Sequence, residues 1–464
     1  VQPLSGLDAS FLYLETPSQV LHVCGLLTLD GSTMPGGYSF ATFRERLAER
    51  IAAIPEFRRK LHDSPLNLLH PVWVEDESFD VDRHVHRVAV PSPGDRETLA
   101  ELCAHFAGQP LDRARPLWEM YVVEGLPGDG VAVLLKMHHA TVDGVSGANL
   151  ITYLCGLEPD SLLPLPETAA NPAPPSDLDL LRTSVESLAR RPAEIAKLLP
   201  DLLGMGSRWI ARALKRTGMP VPFTAPRTSF NRTITGLRTV AYTSVDLDEV
   251  KKVKNAFSVT VNDVVLALCA GGLRRYLDER GELPAEPLVA TVPVSVADRS
   301  DKDEGSNQLS AFFASLPTQL ADPAARVYAI AESNRVSKEH HFSIKADMLQ
   351  DWAQFAAPRL FGLAVRAYSA LNLAERHPVV HNLVISNVPG PPMPLYLLGA
   401  KITGLYPLGP VFHGAGLNIT VISNAGRVDV GLLAARELVP ELWALADAIA
   451  AELKDLQKAA TGVA

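Results

Sequence analysis

The sequence predicts a mixed α/β protein built from two large domains. Three observations carry this. The chain has 464 residues, and at roughly 100–200 residues per domain that length divides most naturally into two. Strand-like runs alternate with amphipathic helical runs in both halves. Between the halves the composition changes: residues 158–176 are rich in Pro, with Ala, Asn, Ser and Asp, and hold no regular element. The expected division is residues 1–157 as a first domain, 158–222 as a Pro-rich linker with a basic helical segment, and 223–464 as a second domain.

In chain order, residues 20–29 alternate as a strand, and 40–54 and 96–107 have helical spacing. Residues 117–124 and 131–137 are β-rich runs around Gly125-Leu126-Pro127-Gly128-Asp129-Gly130, which predicts a hairpin. A helix over 145–157 is expected next. Residues 178–217 read as helix interrupted by Pro192, Pro200, Gly204 and Gly206. Within them, 182–216 carry eight basic residues against three acidic ones. That stretch fits either a connector packed on the protein or a segment lying on an anionic membrane or lipid-droplet surface. In the second half, strands are expected at 239–245, 288–294, 309–316, 379–386, 417–423 and 428–434, and helices at 247–256, 262–280, 323–338 and 441–457.

Composition narrows the function. A net charge of −9 argues against nucleic acid as the main partner. Cys24, Cys103, Cys155 and Cys269 are far apart and lack ligand spacing, so neither a metal site nor a disulfide framework is expected, and a reducing cytoplasm fits. The first residues lack a signal-peptide pattern, and no apolar run is long enough to span a bilayer.

The chemistry concentrates in Lys136-Met137-His138-His139-Ala140-Thr141-Val142-Asp143-Gly144. It runs off a strand, turns and enters a helix. A histidine at a strand end can be held by its neighbours while projecting into a cleft. Its ordinary pKa near ~6.5 leaves it largely neutral and able to accept a proton from an alcohol. Asp143 can fold back towards the pair or anchor the turn, and Gly144 permits the bend. No G-x-S-x-G supports a serine triad.

This His-His-x-x-x-Asp-Gly spacing resembles the signature of the CoA-dependent acyltransferase superfamily. Further segments resemble its wax ester synthase/diacylglycerol acyltransferase branch: residues 3–12 (Pro3-Leu4-Ser5-Gly6-Leu7-Asp8-Ala9-Ser10-Phe11-Leu12), 110–119 with Pro110-Leu111-Asp112-Arg113 and Pro116-Leu117-Trp118, 223–231 with Pro226-Arg227-Thr228, 259–267 with Asn262-Asp263, and 385–391 with Ser386-Asn387-Val388-Pro389. The resemblance implies two chloramphenicol-acetyltransferase-like domains, each a mixed sheet flanked by helices, with a substrate tunnel between them. It implies His139 as general base, His138 as its supporting neighbour and Asp143 as an anchor. Gly144, Asn262 and Asp263 would support the site; Pro116, Leu117, Trp118 and the 386–389 segment would shape substrate binding. Two departures stand out. Pro293-Val294-Ser295 is followed only at Arg299 by an arginine, which could partner Asp143, and Ser423-Asn424 stands where many relatives have Ser-Tyr.

The implied activity is transfer of a long-chain acyl group from acyl-CoA, a co-substrate and not a bound cofactor, to diacylglycerol, a long-chain alcohol, or both. Peripheral contact with a membrane or lipid droplet would suit such substrates. The alternatives are a condensation-type enzyme using a carrier protein, and a non-catalytic lipid-binding relative.

Overall fold

The computed structural model describes residues 4–64, 70–141, 153–161, 223–295, 309–341 and 358–462, with a few isolated positions between 164 and 182. Asp143, Gly144, Arg299 and all but Arg182 of the basic residues in 182–216 lie outside the described residues.

The first half opens with helix α1 (Gly6–Leu14), whose start is fixed by Ser5: its hydroxyl accepts the Asp8 N–H at 3.1 Å and donates to the Asp8 carboxylate at 2.7 Å. Strand β1 (His22–Asp30), helix α2 (Phe40–Ala52), the short pair β2 (Arg59–His62) and β3 (Val72–Glu75), and β4 (Val85–Ala89) follow. Helix α3 (Arg96–Ala107) starts on an Asp95 cap. The expected hairpin is present as β5 (Trp118–Glu124) and β6 (Gly130–His138), paired antiparallel.

The second half contains β8 (Arg238–Asp246), α4 (Leu247–Phe257), α5 (Val261–Glu279), β9 (Leu288–Ser295), β10 (Leu309–Leu316), α6 (Pro323–His341), α7 (Pro358–Ala370), β11 (Leu383–Val388), β12 (Tyr396–Leu397), β13 (Ala400–Leu408), β14 (Leu417–Asn424), β15 (Arg427–Ala435) and α8 (Leu442–Thr461). One further short strand, β7 (Cys155–Gly156), closes the first half.

Two large mixed sheets result. One has the order β4-β5-β6-β1-β13-β12-β7, the other β10-β9-β11-β14-β15-β8. Strands β12 and β13 come late in the chain yet lie in the first sheet, where β13 pairs with β1. The sheets are joined at this crossing. Asp429 on β15 is fully buried and accepts the Leu405 N–H of β13 at 2.9 Å and the Ser244 hydroxyl at 2.6 Å. Gly431 lets the backbones touch: a Cβ there would lie 2.0 Å from the Pro407 carbonyl oxygen. One core cluster accordingly spans both halves, placing Leu26, Tyr121 and Leu134 with Tyr242, Leu432 and Leu445. A second, on the other face of the first sheet, gathers Phe43, Leu47, Phe57 and Trp118.

Two expectations are corrected. The end of the helix expected over 145–157 is strand β7, because Cys155 and Gly156 pair with Leu397 and Tyr396, and tertiary pairing overrides the local pattern. The strand expected from 379 begins at Leu383. Ahead of it, Asn382 is fully buried and turns its side chain on the Val289 N–H, the Pro226 carbonyl and Asn231, so this part of the chain bonds through a side-chain network.

Candidate active site

The site is built where β6 ends. His22 of β1 and His138 of β6 are register partners, so their side chains share one face of the sheet. Their rings meet edge to face with centroids 5.8 Å apart. Beyond His138 the chain leaves the ladder but stays tied to it. The His138 N–H donates to the Leu117 carbonyl at 3.0 Å, and the His139 N–H to the Leu21 carbonyl at 2.9 Å. His139 is half-buried, whereas His138 is 1% exposed. The two adjacent imidazoles therefore have different environments: one is enclosed, the other partly open.

His138 Nδ1 accepts the Ala140 N–H at 3.0 Å. That bond leaves the proton on Nε2, which lies 3.2 Å from Glu15 Oε1. The same carboxylate oxygen lies 3.4 Å from His22 Nε2 and accepts the Leu21 N–H at 2.9 Å. The other oxygen accepts from Arg113 at 2.6 Å, and Arg113 also donates to the Leu12 carbonyl at 2.6 Å. Burial works to raise the Glu15 carboxyl. The contact with His138, the attraction of the His138 and His22 rings when they are protonated, and the Arg113 bond outweigh it and hold the group well below the usual carboxylate range. Glu15 is thus a fixed anion among imidazoles. His22 is held well below its ordinary pKa, first by burial and then by the His138 charge, with Glu15 opposing; it is neutral at neutral pH.

Helix α1 supplies a second contact. Phe11 precedes Glu15 by four residues, one helical turn, and its ring stacks on His139 with centroids 4.0 Å apart and planes 18° apart. On β6, two residues before His138, Lys136 is fully buried with its ammonium 3.1 Å from Glu119.

In the second half, the residues expected to support the site gather at the start of α5. Thr260 caps α5: its hydroxyl accepts the Asp263 N–H at 3.2 Å, and Asp263 accepts the Thr260 N–H at 2.9 Å. Asp263 also accepts from Asn334 at 2.7 Å. Asp263 is thereby a brace with both carboxylate oxygens engaged. Its neighbour Asn262 accepts from Asn387 at 3.3 Å, which brings these two segments together at the start of the helix. Ser386, Asn387 and Val388 are half-buried and Pro389 is exposed. Ser423, next to the departing Asn424, accepts the Gly390 N–H at 3.0 Å and so holds this loop.

The Pro116-Leu117-Trp118 segment is packed. Trp118 is fully buried, its indole N–H donates to the Phe57 carbonyl at 2.8 Å, and its ring stacks on His84 at 4.6 Å. Leu117 lies in a cluster with Leu12 and Ala140, and its carbonyl receives His138. In this geometry the segment frames the end of β6.

Glu15 and His22 carry no mark in the sequence, and Phe11 enters there only within the N-terminal segment that resembles the family. Arg113 stood only within a segment quoted for its resemblance. Nothing local marks Glu15 or His22: each becomes meaningful only when β1 pairs with β6. Among the described residues, no group of His, Cys, Asp or Glu side chains has a metal-site arrangement, and no single helix is long and apolar enough to cross a membrane.

The model of the wax ester synthase/diacylglycerol acyltransferase catalytic domain matches residues 4–265, and that of the WS/DGAT C-terminal domain matches 305–457. A Mycobacterium tuberculosis protein named as a candidate diacylglycerol O-acyltransferase is 49% identical over 457 residues, covering 98% of this chain and 90% of that protein. The solved wax ester synthase/diacylglycerol acyltransferase from Marinobacter aquaeolei VT8 is 30% identical, with a TM-score of 0.71 over 99% of this chain and 100% of that one. The first condensation domain of the calcium-dependent antibiotic synthetase shares the fold at 16% identity, with a TM-score of 0.56 over 100% of this chain and 97% of that one. The chain belongs to the wax ester synthase/diacylglycerol acyltransferase family, and is an acyltransferase.

Proposed function

We propose that the chain transfers a long-chain acyl group from acyl-CoA to the hydroxyl of diacylglycerol, with His139 as general base. The observation that carries this is the pairing of a half-buried His139, stacked on Phe11, with an enclosed His138 that faces the Glu15 carboxylate. The neutral His139 ring takes the proton of the acceptor hydroxyl as the oxygen attacks the thioester carbonyl. The tetrahedral intermediate collapses, the C–S bond breaks, and the imidazolium returns its proton to the CoA thiolate. His138 and Glu15 keep the strand end in place and hold the local charge balance.

Purified His139→Ala chain supplied with palmitoyl-CoA and a diacylglycerol tests this by free-thiol release and mass spectrometry of the ester. Loss of about 10²–10⁴ in rate is expected; near wild-type ester formation would end the proposal. Replacing the diacylglycerol with a long-chain alcohol tests wax ester synthesis in the same assay.

A lipid acceptor also favours work at a membrane or lipid-droplet surface. Neutralising Arg208, Arg212, Lys215 and Arg216 and measuring liposome flotation tests that segment. Unchanged flotation removes it as the anchor.

A further inference from the structure

Every group placed around His139 so far in the first sheet comes from the first half of the chain, yet the turn that links them is held by the second. Residues 16–19 form a tight turn in which Thr16 and Gln19 exchange backbone hydrogen bonds at 3.0 and 3.1 Å, and the Gln19 side chain donates to the Leu14 carbonyl at 2.8 Å. Glu15 immediately precedes this turn. Leu21, which bridges the Glu15 carboxylate to the His139 N–H, and His22 follow it.

Three contacts from the second half fix the turn. Arg238, at the start of β8, donates to the Ser18 carbonyl at 2.7 Å. The His413 N–H donates to the Gln19 side-chain oxygen at 2.8 Å. His413 Nε2 lies 3.3 Å from the Ser18 hydroxyl. Because His413 Nδ1 accepts the Ile234 N–H at 3.2 Å, the ring proton sits on Nε2 and is donated to Ser18.

Arg238 is unusual in its company. It is 5% exposed, and it also donates to the carbonyls of Thr235 at 2.6 Å and Leu237 at 3.1 Å. Burial lowers its pKa to about 10, against the raising effect of Glu437, so it stays cationic at neutral pH. A buried cation bonded to carbonyls is costly, and apolar packing would glue two halves together at less cost. What a planar guanidinium adds is direction, since it fixes several carbonyls at set angles.

We propose that Arg238, seconded by His413, is a positioning residue for acyl transfer: the second half sets the place of Glu15 and Leu21, and through them that of His138 and His139. This rests on His139 being the base.

The test uses the full chain and the palmitoyl-CoA and diacylglycerol assay. Arg238→Met is expected to lower kcat about 10- to 100-fold, as a misplacement of about 1 Å does. KM for both substrates should stay nearly unchanged, and the acidic limb of kcat/KM should move. Arg238→Lys should restore part of the rate. Arg326→Met removes an equally buried guanidinium, one paired with Glu452 at 2.5 Å in the second half, and serves as the stability control. It should lower Tm without changing kcat per folded molecule.

If Arg238→Met does not fold, Arg238→Lys must still lower kcat by about 2- to 10-fold, because one ammonium cannot hold the carbonyls of Ser18, Thr235 and Leu237 at the angles a guanidinium fixes. Unchanged kcat and an unmoved acidic limb in folded Arg238→Met, or in Arg238→Lys where that is the variant available, overturn the proposal. A His139→Ala chain run alongside separates the claims. Full activity there overturns the base and the positioning role together; an inactive His139→Ala beside an unimpaired Arg238→Met overturns the positioning role alone.

Discussion

The rings of Phe11 and His139 lie face to face, 4.0 Å between centroids and 18° from parallel. The contact fixes the imidazole's plane without using either nitrogen, so the stack orients the ring and leaves its proton chemistry intact. Phe11→Ala is expected to lower kcat by about 10-fold or more through lost orientation, whereas Phe11→Tyr should retain most of the activity. Steady-state kinetics with both variants checks this; equal kcat for Phe11→Ala and wild type would remove the stack from the mechanism.

Glu15 joins four partners at one carboxylate: His138, His22, Leu21 and Arg113. Glu15→Gln keeps the shape but removes the charge, leaving Arg113 without its counter-ion. A loss of roughly 1–3 kcal/mol in stability is expected, with a fall in kcat of about 10-fold or more. Glu15→Lys, which puts a cation between two imidazoles, should be inactive. Urea unfolding and thiol-release assays on the same preparations separate the two effects.

Acid should destabilise the fold in two stages. Burial lowers both His381 and His413 to about 4, from an ordinary 6.5; at His413 the Arg238 charge adds to it. Above about pH 6.5 these rings are neutral in both states and cost nothing. Between about 6.5 and 4 the unfolded chain binds protons that the folded chain refuses, so stability falls. Glu15 adds a second loss below the ordinary carboxyl value of 4.5, where the unfolded carboxyl is protonated first. His381→Phe should flatten the first stage by about 1–3 kcal/mol; His413, being less buried, contributes less. Urea melts across this range check both signs.

Gly431→Ala should strike the junction between the sheets. Its Cβ would meet the Pro407 carbonyl oxygen at 2.0 Å, a backbone atom that cannot swing aside. A loss of about 1–3 kcal/mol or more is expected, read as a lower Tm. A Tm equal to wild type would show that the strands can separate freely there.

The hairpin that delivers His138 was legible in the sequence because both its strands and its Gly-Pro-Gly turn are local features. So were α3 and β10, whose observed bounds coincide with the expected ones. What stayed hidden depends on long-range pairing. Strands β12 and β13 join a sheet begun hundreds of residues earlier, and no periodicity announces a partner. Asn262 and Asp263 were expected to open their helix; the cap is Thr260, and Asp263 is its reciprocal partner. Glu15 lies just past a helix end, where an acidic residue is commonplace. Only the approach of His22 and His138 gives it a role.

The placement of β13 beside β1 has a consequence for biosynthesis. While the ribosome is still making the linker and the second half, β1 has its β6 neighbour but lacks its β13 neighbour, so one margin of the catalytic sheet is naked. Such a margin invites pairing with another nascent chain. Truncations that stop before residue 400 should therefore aggregate rather than yield a small autonomous catalyst, and an expression strategy that shields early intermediates, by chaperone supply or slow induction, should raise the soluble yield.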